Sequence, residues 1–109
     1  MKKKYVLISY ALNYKRYLQR NFYTRLYRYA AIIPANTISH KRDIIALRSY
    51  DTTIGFHDTI SHKVYTWGYG YYSPTTSKQI TMYCHEHNCT RVDIDKMTID
   101  EFSKKYLKD

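Results

Sequence analysis

Residues 44–87 decide the fold; they read IIALRSYDTTIGFHDTISHKVYTWGYGYYSPTTSKQITMYCHEH. The stretch opens with an apolar run at 44–50, and residues 52–57 and 63–69 then alternate between apolar and polar side chains. A period of two in β-branched and aromatic residues predicts β-strands. Residues 58–62 are mostly polar and predict a hairpin loop between the two alternating strands.

The alternation also predicts which side chains of these two strands share a face of the sheet. In the first strand, Ile54 and Phe56 are expected on the same face. The second strand is expected to present Val64 and Thr66 on one face and Tyr65, Trp67 and Tyr69 on the other.

A helix is predicted to begin at Ser73-Pro74, because serine caps free helical N–H groups and proline suits the first helical position. Asn88 tolerates left-handed backbone and is expected to end the helix. Spacings of three, four and seven residues place four side chains on its buried face: Ile80, Tyr83, Cys84 and His87. The stretch therefore predicts a ββα unit.

The preceding segment, residues 12–31, is predicted to be a helix that Pro34 ends at the latest. The side chains expected to pack this helix on the sheet are Tyr14, Leu18, Phe22 and Leu26. Residues 35–42 are predicted to form a loop, with a short extended piece at 37–38 as an alternative. Residues 3–10 fit either a strand or the start of a helix.

After the ββα unit, residues 90–94 predict a short strand, and Thr98 with Glu101 predicts a capping box that starts a last helix. The buried face of that helix is expected to hold Ile99, Phe102 and Tyr106. A chain of 109 residues is expected to form one domain. The prediction is a single α+β domain over residues 1–109. A basic N-terminal helical part (1–33) packs on a mainly antiparallel sheet, which belongs to a ββαβα part (43–109).

The charge of +9 is one-sided, because residues 1–48 hold 11 of the 18 Lys and Arg and one acid, Asp43. Such asymmetry predicts a polyanionic partner: nucleic acid, an acidic protein surface or an anionic membrane. Basic residues interleaved with tyrosines suit phosphate contact and base stacking, while an ordinary solvated helix face is the alternative. The candidate binding residues are Lys15, Arg16, Arg20, Tyr23, Tyr27, Arg28, Lys41 and Arg42.

The chain contains 14 tyrosines, too many for one small core, so several are expected at the surface. Surface tyrosines are enriched in protein interfaces; a codon bias toward tyrosine is the alternative. The candidate protein interface is Tyr65, Trp67, Tyr69, Tyr71 and Tyr72. A helix start with hydroxyls and a lysine also suits an anion, and the candidate anion site is Ser73, Thr75, Thr76 and Lys78.

Residues 84–89, Cys-His-Glu-His-Asn-Cys, have the residue types of a zinc site. The prediction is nevertheless no metal, because structural zinc sites pair ligands from two separated turns, and Cys84 is expected in the core. No pair of carboxylates, no nucleophile beside a base and no glycine-rich phosphate loop stands out. The sequence thus predicts a protein that is not an enzyme and has no cofactor, with a small nuclease as the third alternative.

Two further observations concern location. The basic start and apolar run of residues 2–12 imitate a signal peptide, but the run is short and lacks a small-residue cleavage site, so none is expected. No run reaches the roughly 20 apolar residues of a membrane span. A cytosolic protein with no membrane partner is predicted, and the sequence does not define an oligomeric state.

Residues 48–54 (RSYDTTI), 64–65 and 72–78 (YSPTTSK) resemble a group of small uncharacterised proteins of tailed bacteriophages. The group shares a Tyr-Asp-Thr-x-Ile strand and a Tyr-Ser-x-Thr-Thr-Ser-Lys-His helix start, and the resemblance covers about residues 34–90. Gln79 stands where the group often has His. The resemblance implies a phage protein acting in the host cytoplasm. Small phage proteins of this size often bind and block a host factor, which favours a non-enzymatic inhibitor of a host nucleoprotein or protein target, including an anti-defence protein such as an anti-CRISPR.

Overall fold

The computed structural model describes residues 4–17, 20–33, 37–50 and 52–107. Six strands form one sheet in the order β1-β2-β3-β4-β5-β6. The elements are β1 Lys4–Tyr17, β2 Arg20–Ile33, β3 Thr37–Ser49, β4 Thr52–Asp58, β5 Lys63–Thr66, a 3-10 turn Tyr69–Tyr71, α1 Pro74–His87, β6 Thr90–Asp93 and α2 Ile99–Tyr106. Neighbouring strands are antiparallel except β5 and β6, which are parallel. The predicted α+β class and mainly antiparallel sheet are confirmed.

The predicted ββα unit is present as β4, β5 and α1. Its helix begins as the sequence indicates: the Ser73 side chain accepts a hydrogen bond from the Thr76 N–H at 3.2 Å, and Pro74 is the first helical residue. It ends at Asn88, which adopts left-handed backbone with φ of 53°. The parallel pairing of β5 with β6 needs a long crossover, and α1 supplies it.

The two helices pack on opposite faces of the sheet. Cluster 1, on the α1 face, joins α1 to the sheet through Phe22, Leu47, Ile54, Val64, Ile80, Tyr83 and Cys84. Cluster 2, on the α2 face, joins α2 to the sheet through Tyr29, Ile44, Ala46, Phe56, Phe102 and Leu107. Val64 and Tyr65 belong to different clusters, as alternation along β5 predicts.

Ile54 and Phe56 lie on opposite faces, so the prediction that they share one is wrong. The register between β3 and β4 shifts there: Leu47 pairs with Gly55, but the next residue, Arg48, pairs with Thr53. Ile54 is therefore the extra residue of a β-bulge, which moves its side chain to the α1 face. At the neighbouring Gly55, a Cβ would meet the Tyr65 carbonyl oxygen at 2.6 Å, so this close approach requires glycine.

The predicted N-terminal helix is also wrong: those of its residues that the structure describes lie in β1 and β2, which pair as antiparallel strands. The apolar residues that suggest a helix here, Tyr14, Leu18, Phe22 and Leu26, are four residues apart. A spacing of four places side chains on one face of a strand as well as of a helix. Phe22 is fully buried against α1 and Leu26 is half-buried. Leu18 and the Tyr14 side chain lie outside the described residues. The predicted loop at 35–42 is mostly strand as well, since β3 begins at Thr37 and pairs with Ile33.

The C-terminal elements agree with the sequence. β6 and α2 occupy the predicted segments, and the Thr98–Glu101 capping box is formed in both directions. Phe102 is fully buried, and Ile99 and Tyr106 pack beside it. In the described part of the chain, no helix is both long and apolar enough to cross a membrane.

Candidate nucleic-acid interface

Strands β1, β2 and β3, here called the basic strands, carry nine Lys or Arg residues and one acid, Asp43. The excess positive charge of the N-terminal half is therefore concentrated on one side of the sheet, which ends at the edge strand β1. Four predicted binding residues lie on these strands with side chains outside the described part: Lys15, Arg16, Arg20 and Lys41.

Two other predicted binding residues have acidic partners within the chain. Arg28 makes a two-pronged ion pair with Asp43 at 2.8 and 3.0 Å. Arg42 binds Asp58 at 2.6 Å, and the Asp58 side chain is only 3% exposed. Burial acts to raise the pKa of Asp58, but the hydrogen bonds from Arg42 and the Ile60 N–H outweigh it and leave the pKa below its usual value. Arg42 therefore serves the fold.

Tyr23 and Tyr27 share a face of β2 with Arg25, which lies between them. Tyr27 packs in cluster 2, so this is the α2 face. Arg25 Nη1 lies 3.5 Å from the Tyr27 hydroxyl, and Arg25 Nε is buried with no hydrogen-bond partner among the described residues. Within the described ranges, no carboxylate pairs with Arg25. The helical period predicted for residues 12–31 places Arg25 among apolar residues, so Arg25 is absent from the predicted binding residues. A period of two would instead place Tyr23, Arg25 and Tyr27 on one face of a strand.

A groove of about 680 Å³ opens on the same face, between the sheet and the start of α2. We call it the α2 groove; its lining residues are Tyr27, Ala46, Thr52, Thr53, Phe56, Trp67, Lys96, Met97, Thr98, Ile99 and Glu101. Its size lies within the range of small-molecule binding sites, which are about 300–1,000 Å³ and mostly apolar. Arg25 pairs with Ala46 across the strands, so it borders the groove.

Trp67 is the single tryptophan of the chain, and it lines this groove. Its ring meets Phe56 edge-on at a centroid distance of 5.6 Å. The indole Nε1 is buried, and no described residue offers it a hydrogen-bond acceptor. A buried indole N–H usually finds an acceptor, so the groove differs from an ordinary apolar core in holding an unpaired hydrogen-bond donor.

The predicted tyrosine interface does not form one surface. Tyr65 packs between Phe102 and Tyr106, with ring centroids 5.2 and 5.0 Å away. The Tyr72 hydroxyl donates to the Ile54 carbonyl at 2.6 Å and accepts from the Trp67 N–H at 2.7 Å, bracing the β-bulge. Burial raises the pKa of Tyr72 to about 12.

Tyr71, by contrast, is 55% exposed, and Lys96 donates to its hydroxyl at 3.0 Å. The Tyr69 side chain lies outside the described part.

The predicted anion site makes hydrogen bonds within itself: Ser73 caps α1 and donates from its hydroxyl to the Thr76 hydroxyl. Among the described residues, no contact of Thr75 or Lys78 completes an anion site.

The Cys84–Cys89 run separates into core and surface. Cys84 is buried in cluster 1, whereas His85 is exposed. His87 lies on the predicted face of α1, with its ring centroid 4.2 Å from that of Tyr83 and 5.6 Å from that of His57, but it is exposed at the end of the helix rather than buried. Burial raises the pKa of Cys84 to about 11. Where the structure describes side chains, no three His, Cys, Asp or Glu residues are arranged to hold a metal ion.

Sequence reasoning missed one polar contact in this region, the chain Cys89–His57–Tyr83. His57 Nε2 lies 3.1 Å from the Cys89 sulfur, and its Nδ1 lies 2.7 Å from the Tyr83 hydroxyl. His57 is 32 residues from Cys89, so no local spacing could reveal the contact.

The chemistry of that chain is a neutral imidazole beside a neutral thiol. Burial, and next the neighbouring His87, lower the pKa of His57 from 6.5 to about 4, although Asp58 acts in the opposite direction. Burial also raises the pKa of Cys89. A reactive thiolate needs a depressed pKa, so the contact has the character of a structural hydrogen bond.

Fold and site together define a small α+β domain whose basic strands border an aromatic groove. The chain belongs to a family of unknown function, DUF8033, whose family model matches residues 18–101. No curated protein and no solved structure matches the chain.

Proposed function

We propose that this protein binds nucleic acid, free or within a nucleoprotein complex, through the α2 face of its basic strands. The observation that carries the proposal is the Tyr23-Arg25-Tyr27 alternation on one face of β2, beside the α2 groove. Lys and Arg supply phosphate contacts that are independent of sequence, and exposed aromatic rings supply stacking platforms for bases.

Two of the candidate basic residues already have an acidic partner within the chain. Arg28 pairs with Asp43, and Arg42 with Asp58. Arg25 has no acidic partner among the described residues and so keeps its positive charge available for a phosphate. The interface is thus centred on Arg25 rather than on Arg28 or Arg42.

The biological setting proposed here rests on the resemblance to small phage proteins. In that setting the protein acts without catalysis in the host cytoplasm, by occupying a host nucleoprotein, as an anti-CRISPR would. Inhibition through a tyrosine-rich protein surface has less support, because Tyr65 and Tyr72 make their contacts inside the fold.

The test compares Arg25→Gln with Lys104→Gln, which removes an exposed charge from α2. Affinity for a fluorescein-labelled 20-nucleotide single strand is measured by anisotropy at several salt concentrations. We expect Arg25→Gln to weaken binding and to reduce the slope of log K against log salt by about 0.7, the value of one phosphate contact on a single strand. Lys104→Gln should bind as the wild type does.

Arg25 is half-buried, so folding is checked by circular dichroism and thermal unfolding. Arg25→Lys keeps the charge and should recover most of the affinity that Arg25→Gln loses. If Arg25→Gln is folded and binds with wild-type affinity and salt slope, the interface is not centred on Arg25 and the proposal fails.

A further inference from the structure

We propose that the α2 groove holds one unstacked base of a single-stranded nucleic acid. The inference rests on the proposed function and names the form of nucleic acid that the site selects. In a duplex the bases are stacked and paired, so a deep groove lined by rings is reached only by a base that has left the stack.

Shape and lining support this ligand. The groove offers about 680 Å³, with Tyr27, Phe56 and Trp67 on the sheet side and Met97 and Ile99 on the α2 side. Aromatic and thioether side chains on opposite walls suit a flat ring, because stacking and sulfur–ring contacts both favour a planar π system.

An unpaired polar group in the groove favours a base over a plain hydrocarbon as the ligand. The indole Nε1 of Trp67 is a donor with no acceptor among the residues that the structure describes. Each nucleobase carries a carbonyl oxygen or ring nitrogen that accepts such a bond. The Glu101 carboxylate is already bound to the Thr98 N–H at 3.1 Å in the capping box, so its charge is held at the helix start.

Positive charge lies on both sides of the groove, where phosphates flanking an inserted base would run. Arg25 borders one side through its pairing with Ala46, and Lys96 lies on the other. Arg48 lies opposite the groove residue Thr53 in the neighbouring strand, so it is on the same side of the groove as Arg25. A strand crossing the groove would thus meet a cation before and after the base.

Trp67 makes the inference testable, because it is the single tryptophan. A single-stranded 10-mer and the matching duplex are titrated while Trp67 emission and the anisotropy of a labelled end are recorded together. N-acetyltryptophanamide corrects for absorption by the nucleic acid. We expect the single strand to quench Trp67 in step with the anisotropy change, and the duplex to leave the emission unchanged.

A matched pair of variants places the base. Tyr27→Leu removes a groove ring and is expected to weaken single-strand binding about fivefold or more, the effect of losing one base–aromatic stack. Met82→Ala trims an exposed side chain of α1, on the other face of the sheet, and should leave the affinity unchanged. Circular dichroism confirms that both variants are folded.

Two outcomes overturn different statements. If the anisotropy reports binding while Trp67 emission stays constant and Tyr27→Leu binds as Met82→Ala does, the base is not in the groove, although the proposed function stands. If neither nucleic acid changes the anisotropy at low salt, the proposed function and this inference both fail.

Discussion

His57 is the residue at which acid should act on the fold first. In the unfolded chain it titrates near 6.5, and in the fold its pKa is about 4, chiefly because of burial. Between these values the unfolded state binds the proton and the folded state does not, so stability falls as the pH drops from 6.5 to 4. The full loss is on the order of 3 kcal/mol, reached near pH 4. Urea unfolding at pH 7.5, 6.5, 5.5 and 4.5 measures it.

The control for this pH dependence is a second histidine substitution. His57→Gln cannot titrate, so its stability should change much less over the same window, whatever its starting value. His85→Gln removes an exposed histidine and should retain the wild-type pH dependence. A wild-type protein equally stable at pH 6.5 and 4.5 would contradict the burial of His57.

Arg42 offers a second prediction at the scale of one residue. Removing it leaves the Asp58 carboxylate buried and without its cation, so Arg42→Ala should destabilise the fold by about 3 kcal/mol. Arg28→Ala should cost less, because the Arg28 side chain is 39% exposed and its pair is screened by water. Chemical denaturation of both variants gives the comparison. Adding Asp58→Asn to Arg42→Ala should recover part of the loss, and equal losses in the two single variants would refute the distinction.

At this scale, sequence reasoning succeeded where the relevant contact is local. Ser73, Asn88 and the Thr98–Glu101 pair are capping groups whose partners lie within a few residues. It failed at the His57–Cys89 contact, because that contact depends on how α1 crosses the sheet.

Among the elements, α1 carries a prediction about its cap. Ser73→Ala removes the hydroxyl that accepts from the Thr76 N–H and should cost about 1 kcal/mol. Thermal unfolding measures it, with Ser77→Ala as a control inside the helix. If Ser73→Ala is as stable as the wild type yet loses binding to an oligonucleotide, Ser73 belongs to an anion site and its capping role is minor.

The elements also show where hydrophobic period misleads. Residues 44–107 were predicted largely as they fold, because β4 and β5 alternate and both helices carry start signals. The segment before them was not, since apolar residues four apart fit the period of a strand as well as that of a helix. The β-bulge at Ile54 was invisible for a related reason: one extra residue reverses a face without changing composition.

For the molecule as a whole, the sheet explains why charge and aromatic rings meet. The basic strands lie at the β1 end, and the groove lies where they adjoin β4 and the start of α2. The charge bias was readable from the sequence. The groove was not, because Tyr27, Trp67 and Met97 come together only through the order of the strands.

The most direct test of nucleic-acid binding is the salt dependence of the wild-type protein. A labelled single-stranded oligonucleotide is titrated at 50, 100 and 200 mM NaCl, and log K is plotted against log salt. Several phosphate contacts from the basic strands predict a line with a slope of about −2 or steeper, since each contact contributes about −0.7 on a single strand. No binding at 50 mM salt, or an affinity that does not change with salt, would contradict the account.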